Sequence, residues 1–223
     1  MSYSKISVLF EDEVLIAVNK PAGLPIHITL DPTRPDLQSL VEKQVGKTLV
    51  LFHRLDLETT GIVLLGKKNS INKTMTEMFM HRQIKKIYWA IVDGRWSSDW
   101  KEIKTFIAKA AGGNWANVRK GGAEAISRFR VLASNGDKTW VEVSPQTGRT
   151  HQIRLHCLER GHPILGDRRY GKAHPQGVPM ALHARELRFA HPVSGEKMCI
   201  TAPVPDHWEK YWFADLKGGP ART

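Results

Sequence analysis

HRLDLETTG, residues 53–61, forms a short polar break between two apolar runs, residues 49–52 and 62–65. Short apolar runs bounded by polar turns are typical of buried strands, so we expect the break to be a loop at the edge of a sheet. The loop places Arg54 two residues before Asp56. A carboxylate held beside a guanidinium stays ionised at neutral pH, which makes Asp56 a candidate nucleophile or base. The alternative is a structural ion pair that only ties the loop down.

Strand and helix signals along the rest of the chain predict a mixed fold. A hairpin is expected over residues 6–18 around an acidic turn, and Asn135-Gly136 is a strong turn signal for a second hairpin. Further strands are predicted at residues 86–92, 103–108, 182–189 and 198–202. Helices are predicted to begin after the N-caps Asp36, Asn69 and Thr150, with a short fourth helix over residues 207–212 and a glycine-rich loop over residues 111–122. We therefore expect an α/β (α+β) fold with a mixed, largely antiparallel central sheet flanked by helices and loops.

The composition limits the partners and compartments that suit this chain. Its 223 residues are 41% hydrophobic, which is enough for a substantial core. Lys and Arg number 33 against 22 Asp and Glu, so the formal charge of +11 favours a polyanionic partner, with nucleic acid first. No long apolar run or basic amphipathic helix indicates a membrane. Two isolated cysteines, Cys157 and Cys199, and a first segment without a secretory apolar core predict a reduced, cytoplasmic protein.

Metal and nucleotide motifs are missing from the sequence. His151 and His156 lie five residues apart and would share a helix face poorly, and Glu159 is the one acid nearby. Neither common glycine-rich phosphate loop is present, which disfavours kinases, ATPases and dinucleotide enzymes. We predict no metal and no cofactor.

Two polar clusters are candidates for binding a nucleic acid. Lys86 and Tyr88 would share one face of a strand, so that a phosphate contact lies beside a stacking surface. Residues 147–154 place hydrogen-bond donors around a helix N-terminus, where the dipole favours an anion. Ordinary explanations exist for each, with Tyr88 as a half-buried strand residue and Arg154 as a solvated helix residue.

A third cluster, residues 19–23 with His27, forms a polar loop near the N-terminus. Its Lys20 is interpreted, in the simplest case, as a surface lysine of a Pro/Gly turn.

Taken in this order, the motifs resemble those of one family, the RluA-type pseudouridine synthases. Residues 53–61 match its HRLDxxTSG stretch, with Thr60 in place of the usual serine. The other similar segments are residues 19–27 for the first motif, 86–88 for the tyrosine motif, 148–167 for the third motif and 182–192 for the closing segment. The resemblance covers nearly the whole chain.

This resemblance implies a role for each motif residue. Asp56 would be the catalytic carboxylate, Tyr88 would stack on the target base, and Arg154 would pair with Asp56. Ile153 would press on the base from its other side, and Arg54 would fill the space left by the extruded nucleotide. The remaining residues expected at the substrate are His53, Thr60, Lys86, Arg149 and Gln152.

The family also implies a function. The chain would be an RNA pseudouridine synthase that isomerises uridine in a stem-loop of ribosomal or transfer RNA by base flipping. It would be a monomer with one catalytic domain over residues 1–217, a central active-site cleft and a loose tail over residues 218–223. Many relatives carry an extra N-terminal RNA-binding module, and this chain is expected to be a minimal member without it. The basic residues expected to bind RNA are Lys85, Lys86, Arg119, Lys120, Arg168 and Arg169.

Two other functions stay open on the sequence alone. One is a non-catalytic RNA-binding protein on the same scaffold. The other is a carboxylate-based hydrolase with Asp56 and Glu58 as its acid/base pair. In the leading case, Asp56 either attacks the base or sugar covalently or abstracts a ribose proton.

Overall fold

The computed structural model describes residues 5–28, 31, 33–96, 101–171 and 177–211. The chain divides into two compact units, the first made of residues 1–86 and 184–203 and the second of residues 87–183 and 204–223. The single catalytic domain expected over residues 1–217 stays a prediction. The tail expected over residues 218–223 lies outside the described residues.

Eleven strands and three α-helices form the described part of the chain. The strands are β1 Ser7–Glu11, β2 Leu15–Lys20, β3 Val50–Leu51, β4 Thr60–Gly66, β5 Lys85–Asp93, β6 Lys101–Lys109, β7 Trp115–Val118, β8 Ala123–Asn135, β9 Lys138–Pro145, β10 Leu182–Ala190 and β11 Lys197–Thr201. The helices are α1 Leu37–Val45, α2 Asn72–Met80 and α3 Gln152–Glu159, with short 3-10 turns at Asn69–Ile71, Ala111–Gly113 and Asp206–Tyr211.

The first unit holds the strand order β1-β2-β4-β10, with β3 beside β4 and β11 beside β10. β2 pairs antiparallel with both β1 and β4, which confirms the predicted N-terminal hairpin. β4 is buried along its whole length, as its apolar run predicts. Met75 and Met78 of α2 pack into the same core.

The second unit holds the strand order β5-β9-β8-β6-β7, and each of these pairs is antiparallel. The hairpin of β8 and β9 turns at Gly136, whose φ of 54° is the left-handed conformation that the Asn-Gly signal predicts. Its core is rich in tryptophan, with Trp89, Trp140 and Trp208 in one buried cluster. The predicted α/β fold with a largely antiparallel sheet is therefore confirmed.

Some local predictions are confirmed and others are wrong. Asp36 does cap α1, its carboxylate accepting from the backbone N–H of Ser39 at 3.0 Å. Asn69 caps no helix, because its side-chain oxygen accepts instead from the Asn72 side chain at 3.3 Å. The loop expected over residues 111–122 contains β7, which pairs with β6. The short helix expected over residues 207–212 is present as a 3-10 helix, Asp206–Tyr211, and position 212 lies outside the described residues.

Gly61 is the second residue of β4 and lies at a point where no side chain fits. Its φ is 106°, and a Cβ built there would meet the backbone of Ala184 on β10 closer than real Cβ contacts occur. We expect Gly61→Ala to lower the free energy of unfolding by about 2–3 kcal/mol, because both the backbone conformation and the strand approach would be strained. Urea unfolding followed by circular dichroism measures this loss.

Gly46 supplies a matched control, since it also has a left-handed φ, of 69°, but meets nothing within 4 Å. Gly46→Ala should cost only about 1 kcal/mol. Equal losses in the two variants would contradict the close approach at Gly61.

Candidate active site

The loop that carries Asp56 is folded into a turn whose main-chain carbonyls accept hydrogen bonds from within the loop and from residues 20 and 23. The N–H of Thr59 donates to the carbonyl of Asp56 at 3.1 Å, which closes the turn. The carbonyl of Leu57 accepts from the N–H of Gly23 at 3.0 Å and from the Lys20 ammonium at 2.8 Å. Asp56 is half-buried, whereas Leu57 and Glu58 are exposed. The segment between β3 and β4 is thus the predicted loop, with its main chain fixed.

Lys20 is the anchor of this turn. Its side chain is fully buried, so the interpretation as a surface turn lysine is wrong. The ammonium donates to the carbonyl oxygens of Leu57 at 2.8 Å, Pro21 at 2.9 Å and Leu24 at 3.0 Å. Burial lowers the pKa of Lys20 to about 8, and the nearby carboxylates of Glu58 and Asp56 oppose that change. Three carbonyl acceptors satisfy the three N–H donors of a charged lysine.

Arg54 does not form the ion pair that its spacing from Asp56 suggests. Its side chain is exposed and, within the described part of the chain, makes no hydrogen bond or ion pair. The interpretation of this stretch as a structural ion pair is therefore wrong. The physical reason is that Lys20 and backbone amides already hold the turn, which leaves the guanidinium in solvent.

His53 fastens the start of the loop to the core of the first unit. Its Nε2 accepts from the backbone N–H of Leu64 at 2.9 Å, and its ring stacks on Phe79 at 5.1 Å between centroids. Burial, followed by the charge of Lys86, lowers the pKa of His53 from 6.5 to about 3. The imidazole is therefore neutral, with its proton assigned to Nδ1 by the hydrogen bond at Nε2.

In the second unit, α3 carries the predicted residues Ile153 and Arg154. The prediction that Thr150 caps this helix is wrong, because the residue before α3 is His151 in the left-handed conformation, with φ of 56° and no capping bond from its side chain. His151 Nδ1 lies 2.8 Å from the Tyr170 hydroxyl. A non-glycine residue in this conformation is uncommon and is held by its surroundings.

Gln152 fixes the turn that precedes α3. Its side-chain oxygen accepts from the Thr147 hydroxyl at 2.6 Å and from the Arg149 N–H at 3.0 Å. Its amide nitrogen donates to the Ile126 carbonyl at 2.9 Å and the Ser127 hydroxyl at 2.8 Å. The side chain is buried. This geometry gives Gln152 a positioning role, while its direct contact with substrate stays a prediction.

Arg154 is buried and held by Asp167. Nε donates to Oδ2 of Asp167 at 2.7 Å and Nη2 donates to Oδ1 at 2.8 Å, while the Tyr170 ring lies 4.9 Å from the guanidinium carbon. Oδ1 also accepts from the backbone N–H groups of Arg169 and Tyr170. Burial by itself raises the pKa of Asp167, but the hydrogen bonds and charge of Arg154 bring it below its ordinary value.

Sequence reasoning missed Asp167, although this residue is the last of the segment 148–167 that resembles the third motif. The interpretation of Arg154 as a solvated helix residue is wrong, since a guanidinium this deeply buried requires a carboxylate partner. The available signal was an acidic residue, Asp167, 13 residues after Arg154 in the sequence. The predicted pairing of Arg154 with Asp56 concerns residues of different units and stays a prediction.

The other predicted site residues are placed as follows. Tyr88 on β5 is half-buried and packs against the tryptophan-rich cluster, which also contains Ile153. Thr60 is buried at the start of β4. Arg149 is exposed, and its Nε donates to the Glu124 carbonyl at 2.9 Å. The described residues contain no group of three or more His, Cys, Asp or Glu side chains that could bind a metal ion.

His156 on α3 makes the fold sensitive to acid. The residue is fully buried, with Nε2 at 3.0 Å from the Thr105 hydroxyl and no hydrogen-bond partner for Nδ1 among the described residues. Burial, followed by the charge of Arg160, lowers the pKa of His156 from 6.5 to about 4. The unfolded chain therefore binds more protons between these values, so stability is lost as pH falls below about 6.5.

We expect this group to remove about 2 kcal/mol of stability between pH 7 and about pH 5. His156→Gln should shrink the difference between urea unfolding curves at the two pH values by that amount. His81→Gln, at an exposed histidine, should leave the difference unchanged. An undiminished pH effect in His156→Gln would show that other groups cause it.

A comparison with known proteins shows the family to which the chain belongs. A family model described as RNA pseudouridylate synthase matches residues 14–159. The chain belongs to this family. The protein is an RNA pseudouridine synthase, an isomerase that converts uridine in RNA to pseudouridine. RNA is therefore its substrate, and the alternatives of a non-catalytic RNA-binding protein and of a hydrolase find no support.

Named relatives and solved structures agree with this assignment. An uncharacterised RNA pseudouridine synthase of Synechocystis sp. is 35% identical over 92% of this chain and 67% of its own length. Ribosomal large subunit pseudouridine synthase C of Vibrio cholerae is 33% identical over 91% of this chain and 67% of its own length. The chain thus spans about two thirds of the length of these relatives.

Two human structures share the fold. The protein named RNA pseudouridylate synthase domain containing 4 has a TM-score of 0.74 and 28% identity, covering 91% of this chain and 90% of that one. The protein named RNA pseudouridylate synthase domain containing 1 has a TM-score of 0.77 at 24% identity over 92% of this chain and 86% of that one, and shows the fold alone. Among the described residues, no helix has the length and apolarity needed to cross a bilayer.

Proposed function

We propose that this synthase acts on uridine in the ribosomal RNA of the large subunit, with Asp56 as its catalytic carboxylate. Several named relatives, including those of Vibrio cholerae and Pasteurella multocida, are ribosomal large subunit pseudouridine synthases, and they match 91% of this chain. The formal charge of +11 suits a polyanionic substrate. Transfer RNA is the alternative substrate.

The observation that carries the role of Asp56 is the anchored turn. Its backbone is fixed by Lys20 and Gly23 through the carbonyl of Leu57, and all three hydrogen bonds of the Lys20 ammonium go to main-chain carbonyl oxygens. A catalytic side chain is positioned best when the contacts that fix its segment are made by the main chain. The turn provides that arrangement.

Base flipping sets the tasks of the other residues. Extruding a uridine from its stack costs a few kcal/mol, and stacking on an aromatic ring such as Tyr88 returns about 1–3 kcal/mol. Arg54 is exposed and its planar guanidinium suits the gap that the nucleotide leaves in the RNA stack. Ile153 is proposed to contact the other face of the base.

The chemistry itself exchanges one bond for another. The bond from N1 of uracil to C1′ of the ribose breaks, the base turns, and C5 bonds to C1′. The C5 proton leaves to solvent and N1 takes up a proton, so the product is an isomer of uridine. Asp56 supplies either a nucleophile or an acceptor for a ribose proton, and both routes are redox-neutral. Arg154, held in plane by Asp167, is proposed to keep the carboxylate ionised and oriented.

Ribosomal and transfer RNA tritiated at carbon five of uridine test the proposed substrate. Both RNAs are isolated from cells that lack the gene, so that the target uridines are unmodified. Wild-type protein should release tritium from large-subunit RNA and not from transfer RNA. Carbodiimide-induced reverse-transcription stops in RNA from cells with and without the gene then locate the modified positions. Release from transfer RNA alone would refute the ribosomal assignment.

We further infer a cytoplasmic monomer. The basis is the reduced, isolated cysteines and the absence of a signal for oligomerisation in the sequence. Light scattering after size exclusion should give about the chain mass of 25.2 kDa, and twice that mass would refute the monomer.

A further inference from the structure

The turn between α2 and β5 brings together two cations that lack an acidic partner. Within the described part of the chain, the side chains of Arg82 and Lys86 make no ion pair and no hydrogen bond. Some other basic side chains of the protein are neutralised, as in the ion pairs Lys67–Glu11, Lys104–Glu124 and Arg128–Glu102. Two neighbouring cations without a counter-charge are characteristic of an anion-binding site.

Arg82 occupies a backbone position that favours glycine. Arg82 has φ of 58° and follows the end of α2. The N–H of Gln83 donates to the Met78 carbonyl at 2.9 Å and that of Arg82 to the Phe79 carbonyl at 3.3 Å, which is the Schellman pattern. Glycine is preferred at this left-handed position because it lacks a Cβ.

The other helix of the same unit follows the preference. α1 ends at Gly46, with φ of 69° and its N–H bonded to the Glu42 carbonyl at 2.8 Å. The two helices therefore end in the same backbone conformation, once with glycine and once with arginine. The conformation does not favour arginine, so the reason for its presence is to be sought in its guanidinium.

Lys86 is close to Arg82 and only partly solvated. Burial lowers the pKa of Lys86, and the charge of Arg82 lowers it further. The lysine stem is half-buried, and its ammonium is not among the fully buried polar atoms. An anion bound between the two cations would remove their mutual repulsion. Two residues further along β5, strand alternation turns Tyr88 to the same face as Lys86.

We propose that Arg82 and Lys86 together bind a backbone phosphate of the RNA adjoining the uridine that stacks on Tyr88. The inference rests on the proposed role of Tyr88. A guanidinium presents two parallel N–H donors to a phosphate, and the lysine adds a compact charge. The contact is to the backbone, so it positions the RNA without reading its sequence.

Salt-dependent RNA binding tests the pair. The variants are Arg82→Gly, which removes the cation and relieves the left-handed strain, and Lys86→Met, which removes the charge and keeps the stem. Lys47→Gln is the matched control, since Lys47 is an exposed cation next to the end of α1. Filter binding is measured from about 50 to 300 mM salt with protein-free large-subunit RNA and with an oligouridylate of about 12 nucleotides.

Each variant should lower the slope of log affinity against log salt by about 1, equally on both RNAs, while the control keeps the wild-type slope. The Tm of Arg82→Gly should equal or exceed that of wild type, which excludes unfolding as the cause. If Lys86→Met is unfolded, Arg82→Gly decides alone.

An unchanged slope in folded Arg82→Gly would overturn the inference. Unchanged RNA binding together with lost binding to polyglutamate would assign the cations to an acidic protein instead. The measurement is independent of catalysis, because Asp56→Asn should bind both RNAs with the wild-type slope. Failure of the catalytic proposal and failure of the phosphate site are thereby distinguished.

Discussion

Asp56→Asn is expected to lower kcat/KM for tritium release from RNA by at least about 10³-fold. Asparagine has nearly the same shape, but its amide is neither a nucleophile nor a base at neutral pH. The bonds that hold the turn use the main-chain oxygens of Asp56 and Leu57, so they survive the substitution. Circular dichroism and Tm should therefore match those of wild type.

Glu58→Gln is the control for this prediction. It makes the same change of carboxylate to amide two residues away, on the exposed part of the same turn. Its activity should stay within about threefold of wild type, since a surface substitution away from the chemistry has a small effect. Comparable losses in the two variants would show that the charge of the loop matters and not one carboxylate.

Asp167→Ala is expected to destabilise the protein by about 3–5 kcal/mol, because it removes the carboxylate that accepts two hydrogen bonds from the buried Arg154 guanidinium. Arg154 exposes only 8% of its surface and loses two hydrogen bonds at once. The backbone N–H groups of Arg169 and Tyr170 lose their acceptor as well. Urea unfolding at neutral pH measures the change in the free energy of unfolding.

An exposed ion pair of the same unit is the matched control. Arg128 and Glu102 lie 2.9 Å apart, and both side chains are about half exposed. Glu102→Ala should cost less than about 1 kcal/mol. The double variant Asp167→Leu with Arg154→Met should regain much of the loss, since no buried charge is left unpaired. Similar costs for Asp167→Ala and Glu102→Ala would refute the importance of burial at Asp167.

Local signals were sufficient for most of the fold. Asn135-Gly136 predicted a hairpin because only a few residues adopt the left-handed conformation that the turn requires, and Asp36 predicted a cap because its carboxylate reaches the next N–H groups. The caps at Asn69 and Thr150 were wrong for a physical reason. A side chain caps a helix only if the preceding backbone directs it at the first N–H groups. Asn69 instead accepts from the Asn72 side chain, and His151 stands between Thr150 and α3.

The supporting contacts of the site could not be read from the sequence. Lys20 bonds to Leu57 across 37 residues, and Arg154 to Asp167 across 13. A lysine beside a Pro/Gly turn and an arginine in a helix are ordinary surface residues until tertiary packing buries them. The motifs therefore indicated which residues to consider, and the structure shows which of them act as supports.

Lys20 has a consequence for how this enzyme can diversify. Its three acceptors are all main-chain carbonyl oxygens, which every amino acid supplies whatever its side chain. The exposed side chains at positions 57 and 58 can therefore be exchanged while the path of the main chain is retained. Point substitutions at these positions can change the surface of the turn without changing the contacts that fix its backbone.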